Sequence, residues 1–302
     1  MALVNMHDTY GSLLVGTFFA IFFQGILFVQ AYVYYENFPN DSWYLKSLVA
    51  IVWSLDLADL VVICQSVYHY LVSNWGNPAA LAVSTEPFDL HLVLVGAATI
   101  LCQGFFLHRV YILSRRNWFL TGILSLGCLG TMAFAIWITV QTSRNKNVSV
   151  FATLGNERMA MFSIGAGVDL IIAMLLVYYL SRERTTFEST NLVLNKIIHY
   201  TVATGLATSL LAIAAVAANV IKPKSFVYLA IHYSLGRMYT NALLATLNLR
   251  RNLRSTIKKS ANTWSGQTIP SVNAAPAFVG SQAVTVDDPL EKTKGSWATS
   301  RV

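Results

Sequence analysis

The stretch SLLVGTFFAIFFQGILFVQAYVYYE, residues 12–36, carries no charged side chain until Glu36 at its end. About 20 apolar residues in a helix span the hydrocarbon core of a bilayer, whereas a signal-peptide core holds only about 7–15. No basic segment precedes this run and no small-residue cleavage pattern follows it, so it reads as a first membrane span that stays in the protein. Six further apolar stretches follow, near 45–72, 89–113, 117–140, 159–181, 197–221 and 225–248. Composition agrees with the pattern. The chain is 55% hydrophobic and 12% charged, against about 25% charged residues in a soluble domain. The expected fold is an all-α membrane protein: a seven-transmembrane helix bundle over residues 12–250, after a short extracellular segment (1–11).

Punctuation and charge support this division. Pro39, Pro78, Pro87 and Pro223 fall between the stretches, and Pro270, Pro276 and Pro289 fall after them, so no span should carry a proline kink. Trp43, Tyr44, Trp75, Trp118, Tyr178 and Tyr179 sit near span ends, where amphipathic rings favour the membrane interface. Spans three and four are separated only by Ser114, Arg115, Arg116 and their neighbours, which requires a tight antiparallel hairpin. With the N-terminus outside, the cytoplasmic side holds Lys46, Arg115, Arg116, Arg182, Arg184, Lys196, Arg250, Arg251, Arg254, Lys258 and Lys259. The outer side holds Arg144, Lys146, Arg158, Lys222 and Lys224, and eleven against five fixes the orientation by the positive-inside bias. Asn147-Val-Ser149 is then a glycosylation sequon outside, and Asn40-Asp-Ser42 one inside that should stay unused. Residues 251–302 read as a basic juxtamembrane segment and a disordered cytoplasmic tail. Arg250 to Lys259 in that segment has the pattern of a short amphipathic helix lying on the inner leaflet.

A charge at mid-membrane depth costs roughly 2.5–3.5 kcal/mol on insertion scales, so each one needs a reason. Asp56 and Asp59 share a face of span two, Asp169 is near the middle of span five, and Arg237 is near the middle of span seven. All four are expected at similar depth, with Arg237 paired to one of the aspartates. Span seven adds a polar stripe of Tyr233, Ser234, Arg237, Thr240, Asn241 and Asn248, which must face the bundle interior. Three acids against one base leave a carboxylate that is protonated, hydrated or bound to a cation. Two readings stand for this cluster: a buried polar network that fixes helix order, or a site for a small molecule, an ion or protons. In span six, Thr201, Thr204, Thr208, Ala212, Ala215 and Asn219 recur at helical spacing, as on a face for close helix packing. Gln24, Gln30 and Gln103 read as hydrogen-bond partners between helices, and His108 with Arg109 as a pair snorkelling at the end of span three.

Several function classes lack their residues. Cys64, Cys102 and Cys128 all lie in apolar segments, so no loop disulfide and no Cys/His metal spacing is available. The histidines, His7, His69, His91, His108, His199 and His232, form no HxxxH or HExxH pair. No cofactor or metal site is expected. The last span has no lysine for a retinal Schiff base, and neither Ser-His-Asp chemistry nor a Gly-rich phosphate loop is evident, so no enzyme is expected. The net charge of +7 sits at span ends and after the last span, which suits anionic lipid rather than nucleic acid.

Two stretches carry a resemblance. The exit of span two runs from Trp53-Ser-Leu-Asp56 to Tyr68-His-Tyr-Leu-Val-Ser-Asn74-Trp-Gly-Asn77-Pro78, and span seven ends Tyr239-Thr-Asn241-Ala-Leu-Leu-Ala-Thr-Leu-Asn248-Leu-Arg250. Together they resemble a family of multi-span membrane proteins from basidiomycete fungi, known as a domain of unknown function. The resemblance implies a fungal integral membrane protein and supplies no mechanism. In layout the chain is also similar to G-protein-coupled receptors, although it has no NPxxY, no loop disulfide and no proline within a span. The functional expectation is a receptor-like or sensor protein in the plasma membrane, with the bilayer, a small molecule or ion, and a cytoplasmic protein at 251–302 as partners. The alternative is a small-solute or proton/cation transporter using Asp56, Asp59, Asp169 and Arg237.

Overall fold

A computed structural model describes residues 6–81, 83–145, 150–182, 188–222 and 225–263. The described residues are helical, without a strand. Seven long helices follow in order: α1 (Ser12–Asn37), α2 (Trp43–Tyr68), α3 (Glu86–Leu113), α4 (Trp118–Asn145), α5 (Gly155–Arg182), α6 (Glu188–Ile221) and α7 (Val227–Thr263). π-helical turns extend α1 backwards over His7–Gly11 and α2 forwards over His69–Ser73. A bilayer core has no water to satisfy free backbone groups, so apolar segments of this length satisfy them internally as helices. The first six are long and apolar enough to cross a membrane. The seventh falls short on hydropathy because of its polar stripe, and packing explains the stripe.

Each helix packs beside its successor, and α7 closes the ring onto α1. Helix α3 also reaches α5 and α7, and α7 touches α1, α2, α3 and α6. From Tyr228 to Leu247 almost no side chain of α7 is exposed. The outward faces elsewhere are large and apolar: Phe18 and Phe28 are each 60% exposed and Leu126 is 69% exposed. An apolar surface of that kind has lipid as its natural solvent.

Lipid is as apolar as leucine, so helices in a membrane associate through close contact rather than water exclusion. At Gly16 a Cβ would lie 2.7 Å from the Ala230 backbone, and at Gly205 one would lie 2.6 Å from the Ala173 side chain. These positions draw α1 onto α7 and α6 onto α5. The expected α3–α4 hairpin is present. Arg115 and Arg116 both adopt left-handed backbone, φ 56° and 64°, and the Arg116 amide donates to the Tyr111 carbonyl (2.9 Å), ending α3 in the usual wrapped-back manner.

Some expectations at element ends need correction. Pro87 belongs to the first turn of α3, where its missing N–H costs nothing and Thr85 caps the helix through the Phe88 amide. Arg158, read as an outer-loop charge, is buried in α5: its guanidinium lies 4.5 Å from the Tyr228 ring and donates to Asn219 at 3.0 Å. Arg109 is likewise buried rather than snorkelling, 5.8 Å from the Phe105 ring. The basic segment after span seven is not a separate helix, because α7 runs unbroken to Thr263. Asn147 and residues 264–302 lie outside the described residues.

The end of the bundle that carries His7 is closed by side chains. Tyr10, Tyr70, Phe88 and Phe226 pack in tilted and edge-to-face pairs with centroids 4.8–6.0 Å apart. Tyr10 donates to the Leu81 carbonyl and Tyr70 to the Val83 carbonyl (3.0 Å), which holds the α2–α3 connection over the plug. Lys222 pairs with Asp8 at 2.9 Å across the same end. At the opposite end, Arg250 reaches Asp41 at 2.5 Å and lies over the Phe38 ring, tying α7 to the α1–α2 turn.

Candidate functional site

Asp56, Asp59 and Arg237 are all fully buried, brought together by α2 and α7. Arg237 pairs with Asp59 at 3.1 Å. The same guanidinium donates to two backbone carbonyls, Tyr233 at 2.6 Å and Asp56 at 3.2 Å. Tyr233 therefore enters the site through its backbone, while its ring meets His91 edge-on at 4.7 Å. The Asp56 carboxylate oxygens make no well-formed hydrogen bond among the described residues, and the Thr240 hydroxyl and the Arg237 guanidinium lie beside them.

The pair continues into two histidines that no local spacing announces. With Asp59 ionised, His91 donates to it from Nδ1 at 2.7 Å. The Nε2 of His91 then accepts from Nδ1 of His232, 3.0 Å away. The result is a buried chain, Arg237–Asp59–His91–His232, held by α2, α3 and α7. At 1.5 Å rise per residue, Arg237 lies about 15 Å below the start of α7 and His91 about 8 Å below the start of α3. The chain thus climbs from mid-bundle toward the aromatic plug.

Asp169 is not part of it. It lies about 21 Å below the start of α5, about one helical turn deeper than Arg237, and α5 lies across α3 from α2. Its partners are Gln103, which donates at 2.9 Å, and the Tyr239 hydroxyl. The expected four-charge cluster is therefore two clusters on either side of α3. Asn241 stands apart from both, donating to the Arg237 carbonyl (2.7 Å) and toward the Phe23 carbonyl of α1 (3.4 Å). Of the three glutamines, Gln103 bonds another helix through its side chain, whereas buried Gln24 has no hydrogen bond among the described residues. Gln30 receives the Asn248 side chain at its backbone carbonyl.

Two small cavities adjoin the clusters. One of about 60 Å³ has His232 among its walls, along with Thr99, Gln103, Thr131 and Tyr239 in a mostly apolar lining. The other, about 40 Å³, lies among α3, α5, α6 and α7 beside Asp169. Gln103 and Tyr239 line both. The small-residue face of α6 divides its work. Thr201, Thr204 and Thr208 line the second cavity, Ala212 lines the first, and Asn219 receives Arg158. No group of three or more His, Cys, Asp or Glu side chains placed to hold a metal occurs among the described residues.

Residues 165–252 match DUF6534, a family of unknown function. The matched segment runs from the middle of α5 through the buried part of α7, and so contains Asp169, Tyr233, Arg237 and Asn241. It also contains the ending Asn241 to Arg250. No curated protein and no solved structure matches the chain. Six helices of spanning length and hydropathy in one helical bundle make this a multi-pass integral membrane protein.

Proposed function

We propose that the chain is a receptor-like sensor of the plasma membrane of a fungus, crossing it seven times with the N-terminus outside. It binds and signals rather than catalyses, and its C-terminal segment, 251–302, meets a cytoplasmic partner. The observation that carries this reading is the enclosure of α7. Its polar side chains are buried against α1, α2, α3 and α6, and the Tyr10–Tyr70–Phe88–Phe226 plug covers the end that would face outward. The internal space beside His232, about 60 Å³, is far below the roughly 300–1,000 Å³ of a pocket for drug-sized molecules. Among the described residues this packing favours a shift of helices over passage of a solute. It offers a packed element, α7, tied by ion pairs to α2 at mid-depth and to the α1–α2 turn at the far end. A two-state shift of such an element would carry a signal to residues beyond Arg250. The fungal origin rests on the resemblance of the span-two exit and the Asn241–Arg250 ending.

The test has two parts. Expressed in a glycosylating host, the chain should lose a glycan on Asn147→Gln and none on Asn40→Gln; the reverse result inverts the topology. Arg237→Ala at normal surface level should abolish tail-dependent signalling, and a wild-type response refutes the role of α7. A second reading, proton transport, is favoured by the Asp59–His91–His232 chain, since histidine gains and loses protons near neutral pH. Proteoliposomes showing pH-driven proton uptake that His91→Phe removes would replace the sensor reading with this one.

A further inference from the structure

The cavity beside Asp169 has, set in a mostly apolar lining, several oxygen atoms whose own donors are engaged elsewhere. Thr204 donates its hydroxyl proton to the Tyr200 carbonyl (2.9 Å) and Thr208 donates to the Gly205 carbonyl (3.1 Å). Tyr239 donates to one carboxylate oxygen of Asp169, and the Gln103 amide nitrogen donates to the other at 2.9 Å. An ionised carboxylate only accepts, so it fixes which end of the Gln103 amide faces it. The other end, Oε1, is then an acceptor on a side chain only 3% exposed, and it has no hydrogen bond among the described residues. What remains toward the cavity is a surplus of lone pairs.

Charge points the same way. Arg237, the guanidinium nearest in depth, is committed to Asp59 on the other side of α3, and no Lys, Arg or His lines this cavity. A lone carboxylate in a membrane interior is expensive and is relieved by protonation or by a counter-charge, and the oxygens facing this cavity favour the second. Neutral oxygens around a single carboxylate are the coordination chemistry of a hard cation. A single negative charge matches a single positive one, and no second carboxylate is present to hold a divalent ion. A cavity of about 40 Å³ leaves room for an ion and a water or two, since one water needs at least about 10–15 Å³ of such space.

We propose that the cavity bounded by Asp169, Gln103, Thr204, Thr208 and Tyr239 is a binding site for a monovalent cation, Na⁺ or K⁺. Asp169 supplies the charge, and Gln103 Oε1 and the threonine hydroxyls supply neutral oxygens. The site ties α3, α5, α6 and α7 together, and it stands independently of whether the bundle signals or transports.

The experiment follows thermal unfolding of the full chain in neutral-lipid nanodiscs by tryptophan fluorescence. NaCl, KCl and N-methyl-D-glucamine chloride are compared at equal ionic strength. Na⁺ or K⁺ should raise the midpoint saturably over the organic cation. At tenfold above its dissociation constant, the bound ion should raise the folded-to-unfolded ratio about elevenfold. Asp169→Asn should abolish the response. Thr208→Val, which preserves volume, should weaken the apparent affinity at least tenfold without lowering the midpoint in the organic salt. Identical midpoints in the three salts overturn the proposal, as does a Na⁺ or K⁺ response that both variants retain. If Asp169→Asn does not fold, the Thr208→Val result decides alone.

Discussion

The Asp59–Arg237 pair offers a direct test of what holds α7 in place. The N–O separation is 3.1 Å and both side chains are fully buried. At an effective dielectric of about 20, two unit charges at that distance attract by about 5 kcal/mol. Removing one partner of a buried pair leaves the other charge uncompensated and costs about 3–5 kcal/mol. Asp59→Asn and Arg237→Met should therefore each destabilise the bundle by that amount. At about 2 °C per kcal/mol for a chain of this length, each lowers the unfolding midpoint by roughly 6–10 °C. The double variant removes both charges and fills the space with neutral groups, so it should lie within about 1 kcal/mol of the parent. The amide oxygen that Asp59→Asn leaves in place of the carboxylate would still accept from His91, which keeps the rest of the chain in place. The assay is thermal unfolding of all four proteins in one detergent, read by tryptophan fluorescence, and evaluated as a double-mutant cycle. Additive losses in the double variant, or single variants as stable as the parent, would refute the claim that these charges meet.

Close helix contacts and the α3–α4 hairpin give further tests. Gly16→Ala drives a Cβ into the Ala230 backbone and should cost about 1–3 kcal/mol or more. Gly25→Ala on the same helix meets nothing within 4 Å and should be neutral or stabilising by up to about 1 kcal/mol, so equal melting of the two variants would refute the α1–α7 contact. Arg116→Gly relieves a left-handed non-glycine residue at φ 64°, and the midpoint should rise by about 1–2 °C, a gain of roughly 0.5–1 kcal/mol after the added freedom of the unfolded chain. A fall would mean that the Arg116 side chain holds the hairpin.

Hydropathy made the first six helices legible because lipid imposes its demand on each segment separately. The ends were less so: α6 begins at Glu188 rather than near 197, and α7 continues past 248 to Thr263, since these turns carry no continuous apolar run. The polar stripe of span seven marked Arg237 and Tyr233 correctly as interior-facing, because a periodicity of 3.6 residues is local. The His91–His232 bond joins positions 141 apart in the chain, so no local spacing announces it. Gln103 was readable as a partner for another helix, but nothing in its surroundings named Asp169.

The sequence by itself determined a multi-span helical membrane protein, a polar last helix that has to be enclosed, and a deficit of base against acid inside it. These follow from one-dimensional facts: run length, period and composition. Only the tertiary structure decided that Arg237 serves Asp59 and not Asp169, because that depends on which helices adjoin and at what depth. With α3 standing between α2 and α5, one arginine cannot neutralise both sides. Asp169, held by the Gln103 and Tyr239 donors without a cationic partner among the described residues, is the physical consequence.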